Sequence, residues 1–132
     1  MRLPPFIAVL CCVTPLATAQ NQKYCEPPAE TRALLRAAGP QYTTADLDYK
    51  EIHQLRRNGL NELVAKQPND FWIRRAWIEA SKDIGGVVSD ELVADLKQKA
   101  ETNPTDIEAR FLYATSLIGR QTPDAIRLFE SV

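Results

Sequence analysis

Gln67-Pro68-Asn69-Asp70 and Asn103-Pro104-Thr105-Asp106 are one phrase written twice, 36 positions apart. Each follows a helical pattern and opens another. The proline ends what precedes it, because its ring clashes with the preceding turn and it lacks the N–H a helix interior needs. Punctuation at a fixed interval is the mark of a repeat array, in which each unit is one helix–turn–helix. Such units bind partners rather than transform them, so the phrase points to a kind of protein without naming a partner.

Working outward from the phrase, helices account for the chain from residue 29 onward. Ala29–Ala38 reads as a short helix with Leu34 and Leu35 as its apolar contact, stopped by Gly39-Pro40. A second helix is expected from near Thr44, capped by Thr43 or Thr44, with Asp46 and Asp48 in its first turn. Ile52, Leu55, Leu60, Leu63 and Val64 give it an apolar face at helical spacing. Gly59 inside it costs roughly 1 kcal/mol relative to alanine, which implies either a bend or a closely packed neighbour. A third helix runs from about Asp70 to Asp83, with Phe71, Ile73, Trp77 and Ala80 on one stripe. Gly85-Gly86 breaks the pattern. Ser89 caps a fourth helix that buries Leu92, Val93, Leu96 and Ala100. A fifth, from about Asp106 to Ile118, buries Ile107, Phe111, Leu112, Ala114 and Leu117. Thr122-Pro123-Asp124 starts the last, with Thr122 as cap and proline at the first helical position. It carries Ala125, Ile126, Leu128 and Phe129. No stretch alternates like a strand, and no Asn-Gly or Asp-Gly hairpin turn occurs. The fold class is all-α, with about six helices in antiparallel helix–turn–helix pairs.

A shift of 36 tests the repeat position by position. Leu60 falls on Leu96, Val64 on Ala100, Pro68 on Pro104, Asp70 on Asp106, Arg74 on Arg110 and Trp77 on Tyr113. The second helices align cap to cap, Ser89 with Thr122, which puts Val93 on Ile126 and Leu96 on Phe129. The linker of the last unit is three residues shorter.

These residues resemble the tetratricopeptide repeat (TPR) family. Tyr113-Ala114 and Leu117 resemble its first-helix core, and Ala125 with Phe129 its second-helix small–aromatic pair. Arg74, Arg110 and Ser81 depart from the family pattern, standing where apolar residues are usual. The resemblance implies a TPR-like α-solenoid fragment over residues 44–132, following a leader with a short helix over 20–43. It also implies a groove lined by first helices that holds a protein or peptide. Trp72, Arg75, Glu79, Arg110 and Thr115 are the candidate groove residues. By the cap-to-cap alignment the closing proline of the last unit would fall past Val132, so the array is expected to be minimal or cut short. An ordinary helical bundle predicts the same helices without regular stacking. A second resemblance, to the helical region preceding a thioredoxin-like domain in some exported bacterial proteins, rests on Cys25-Glu26-Pro27-Pro28, the Pro68–Phe71 phrase and the Leu117–Phe129 tail. It implies the alternative of an accessory N-terminal region of a larger exported enzyme. No Cys-x-x-Cys occurs in this chain outside the first 19 residues, so no redox activity comes with it.

The first 19 residues read as a secretory signal: Arg2, a short apolar run from Phe6 to Val13, and Ala17-Thr18-Ala19 before cleavage at Gln20. The run is too short to span a bilayer, which takes about 20 residues. The expected localisation is therefore exported, periplasmic or secreted, without stable membrane insertion after cleavage. Lysine plus arginine number 16 against 17 acids, which argues against a dedicated nucleic-acid surface. Without Cys11 and Cys12, Cys25 is unpaired, a free thiol or one half of an intermolecular bridge. His53 is the only histidine, and no nearby acids have ligand spacing with it. No glycine-rich phosphate cradle is present. Asp90, Glu91 and Asp124 are explained by the helix dipole. No cofactor, metal or catalytic residue is therefore expected, and the chain reads as non-enzymatic. Trp77 is expected in the core and Trp72, nearly opposite it on the wheel, half exposed, as binding hot spots often are.

Overall fold

The computed structural model describes residues 26–39, 48–82 and 86–132. Residues 1–19 with Cys11 and Cys12, and Cys25, Pro40, Thr43, Thr44, Asp46, Asp83 and Gly85, lie outside the described residues. Within the described residues the chain is all-helical: α1 (Ala29–Ala37), α2 (Tyr49–Lys66), α3 (Phe71–Ala80), α4 (Asp90–Thr102), α5 (Ile107–Leu117) and α6 (Thr122–Glu130).

The doubled phrase makes the same junction twice. The Asp70 and Asp106 carboxylates each accept from the backbone N–H three residues on, of Ile73 and Ala109, both at 2.9 Å. Each aspartate thereby caps a new helix and satisfies a donor that would otherwise be orphaned. Ser89 caps α4 by accepting from Leu92 N at 3.4 Å. Two other expected starts move. Helix α2 begins at Tyr49, not near Thr44, behind a reciprocal box in which Asp48 accepts from Glu51 N and Glu51 accepts from Asp48 N. Helix α6 has Gln121 rather than Thr122 at its cap position and no side-chain cap; Pro123 stands in its first turn instead.

Packing follows the chain in pairs, with one exception. Helices α2 and α3, α4 and α5, and α5 and α6 lie against one another, and α3 also rests on α5. Short turns make these antiparallel neighbours. Helix α1 lies on α2 and α3. Gly59 explains that contact: a Cβ there would collide with the carbonyl oxygen of Ala38 and stand 3.1 Å from its Cα. The glycine therefore admits a neighbour rather than a bend. Helices α3 and α4, although consecutive, have no pair of Cα atoms within 8 Å. Side chains alone bridge them, through a cluster that includes Ile78, Val88, Leu96 and Leu112.

The linker between α3 and α4 is instead strapped to the α5–α6 turn. Arg120 pairs with Asp90 and donates to the Val88 carbonyl. Gly119, at φ +92, faces the Gly86 carbonyl so closely that a Cβ would lie 2.7 Å from its oxygen.

The core is built from Leu60, Phe71, Ile73, Ile78, Ala80, Leu96, Ala100, Leu112, Ala114, Leu117 and Ala125. Three expected core positions are on the surface: Leu55, Ile107 and Ile126. Trp77 is half-buried rather than central; its Nε1 donates to Asn61 Oδ1 at 2.7 Å. An indole N–H needs such a partner, and the need holds the ring at the edge of the core. Ile78, beside it, takes the interior place.

Candidate functional site

The surface with the most built-in order lies across α3, α5 and α6. Phe71 and Trp72 meet edge to face, with ring centroids 5.2 Å apart. Phe71 meets Phe111 at 5.4 Å, and Phe111 meets Phe129 at 5.0 Å, again edge to face. These are the favoured geometries for rings carrying a quadrupole. Arg75 completes the set. Its guanidinium carbon stands 5.4 Å from the Trp72 ring centre and 5.3 Å from that of Phe111. One cation therefore serves two rings on two helices. Trp72, Arg75, Phe111 and Phe129 are all half-buried, so the array is part core and part surface. A hollow of about 320 Å³ adjoins it, lined by Trp72, Pro28, Glu26 and Glu108.

The five residues expected to line a groove are not all brought together. Trp72 and Arg75 sit side by side in the array. Glu79 is exposed and pairs with Lys82 at 2.6 Å. Arg110 donates to the Ser131 carbonyl at 2.8 Å, tying α5 to the end of α6. Thr115 is 2% exposed, and its hydroxyl donates to the Phe111 carbonyl at 2.9 Å. It belongs to the packed interior and presents nothing to a partner, which corrects its placement in the groove.

Phe111 and Phe129 are members that sequence reasoning assigned to the interior alone. A signal for Phe111 was available: it lies 36 positions after Arg75, the interval between the two turns, and those two residues meet where α3 rests on α5. Among the described residues no group of three or more His, Cys, Asp or Glu could hold a metal ion, and no helix is long and apolar enough to cross a membrane. His53 stands beside Tyr49, ring centres 6.1 Å apart.

No protein-family model, curated protein or solved structure matches the chain.

Proposed function

We propose that this chain is an exported, non-catalytic scaffold of TPR-like helical repeats, and that it holds a protein or peptide partner on the face formed by α3 and α5. The observation that carries the reading is Arg75 shared between Trp72 and Phe111. Tryptophan and arginine in a half-desolvated, mutually rigidified setting are the side chains on which interface energy concentrates. A second feature supports the repeat. Helices α1, α3 and α5 act as first helices, each resting on the next, while α3 and α5 also rest on the second helix before them. Contacts between successive first helices are what stacked units need, although α3 and α4, the two helices of the middle unit, have no pair of Cα atoms within 8 Å.

The test is affinity capture from cell envelope with the mature chain, followed by quantitative binding of whichever protein is retained. Trp72→Ala should weaken that binding by at least about 30-fold, the scale of a hot-spot loss of roughly 2 kcal/mol. Unchanged affinity for both Trp72→Ala and Arg75→Ala would remove the α3–α5 face from consideration. Export is tested separately: the secreted form should begin at Gln20 by mass spectrometry.

A further inference from the structure

We propose that the cleft between α3 and α4 is a binding site for a small monocarboxylate with an apolar body. It lies on a different side of α3 from the Trp72–Arg75 array and does not depend on the scaffold reading.

The cleft lies where α3 and α4 have no pair of Cα atoms within 8 Å. Its volume is about 360 Å³, with walls from Val64 and Pro68 at the end of α2, Trp77 on α3, and Leu92 and Leu96 on α4. Small-molecule pockets span about 300–1,000 Å³ and are mainly apolar with a few placed polar groups. Arg74 is the placed group. It stands where this cleft meets a second hollow of about 450 Å³ along α4.

Arg74 is exceptional among the half-buried arginines. Arg32 pairs with Glu26 at 2.6 Å, Arg75 lies between two rings, and Arg110 is bound to Ser131. Arg74 is also half-buried, and its side chain has no hydrogen bond, ion pair or ring contact among the described residues. A guanidinium does not deprotonate in a protein. Its charge is therefore held in a partly desolvated place with its planar fork of donors unused.

The remaining charges define what that fork accepts. Asp95 and Lys99, which also line the cleft, satisfy each other at 2.7 Å. Asp106, in the adjoining hollow, is engaged in capping α5. Within the cleft itself, Arg74 and Lys99 against Asp95 leave one positive charge. A single carboxylate matches it, since a planar carboxylate takes a guanidinium through two parallel hydrogen bonds. A second negative charge on the ligand would face Asp95 or Asp106. The ligand's hydrocarbon part then covers Trp77, Leu92 and Leu96.

The chain has two tryptophans, so Trp72→Phe leaves Trp77 as sole reporter inside the cleft. Octanoate is the probe, titrated into that variant while tryptophan emission is recorded. Saturable binding is expected, at least about tenfold weaker for octanamide and for an added Arg74→Gln substitution, as loss of one charge-assisted bidentate contact implies. Inorganic phosphate should not compete. Equal binding of acid and amide, an unchanged response after Arg74→Gln, competition by phosphate, or no saturable response to octanoate would each overturn the assignment. Should Arg74→Gln fail to fold by circular dichroism, the acid–amide comparison on the unsubstituted cleft decides alone.

Discussion

At Gln67–Asp70 the chain leaves α2 and enters α3; at Asn103–Asp106 it leaves α4 and enters α5. The backbones nearly superimpose in dihedral space: Gln67 at φ −133, ψ 68 and Asn103 at φ −131, ψ 83, then Asp70 at φ −75 and Asp106 at φ −77. What lies on them differs. The second oxygen of Asp70 accepts from the Thr31 hydroxyl at 3.1 Å, so α1 is fastened to the first turn. Asp106 has no such second side-chain partner among the described residues and borders an open hollow. Below the first turn sits Ile73, at 0% exposure; the matching position below the second is Ala109. A short phrase thus dictates the turn, while the neighbouring layer dictates how much stability the turn carries.

The largest effect expected from this contrast is at Ile73. Ile73→Ala gives the first turn the residue that the second already has. It should destabilise by about 2–5 kcal/mol, the transfer and cavity cost of truncating a fully buried isoleucine. Chemical denaturation reads the change directly. A loss below about 1 kcal/mol would mean that the site collapses around the gap, and that the first turn is no more deeply anchored than the second.

The caps come next. Asp106→Ala should cost about 1 kcal/mol, the usual value of an N-cap. Asp70→Ala should cost that and roughly 1–2 kcal/mol more, because buried Thr31 loses its acceptor as well. Equal melting temperatures for the two variants would show that the Thr31 contact contributes nothing, and the distinction between the turns would fall.

The same division between local and tertiary causes explains what could be read from the residues. Both turns, the Ser89 cap and the helical faces of Leu96, Ala100, Leu112 and Ala125 follow from chemistry within one or two turns of helix, and all are legible in the sequence. Ile78 was not, because adjacent Trp77 claimed the interior place on size, while the indole N–H draws that ring to Asn61 at the edge. Val88 is buried from a linker, where no periodicity announces it. Leu55 and Ile126 repeat at helical spacing yet face outward, since spacing identifies a face and not what covers it. At the α3–α5 face, Trp72 and Arg75 were legible as half-exposed members of one helix. Their third partner, Phe111, depends on how two helices pack. Arg74 stood out only as a departure from a family pattern; that it lacks a partner is a fact of three dimensions.

The smallest effect is the sharpest discriminator between the turns. Thr31→Val keeps the shape of the side chain and removes its donor. Alone it should cost about 0.5–1.5 kcal/mol, the net worth of one hydrogen bond. Combined with Asp70→Ala the losses should not add, because both substitutions remove the same bond; the shortfall should be of the order of 0.5–1.5 kcal/mol. Combined with Asp106→Ala they should add within about 0.3–0.5 kcal/mol, since Thr31 and Asp106 share no hydrogen bond. The two cycles use one substitution on α1 against two aspartates in equivalent backbones, so differences in cap strength cancel. Coupling at Asp70 alone means that α1 is docked through the first turn's cap. Equal coupling at both aspartates would mean that Thr31→Val acts by loosening the helices generally, and the hydrogen bond would lose its standing as the feature that sets the two turns apart.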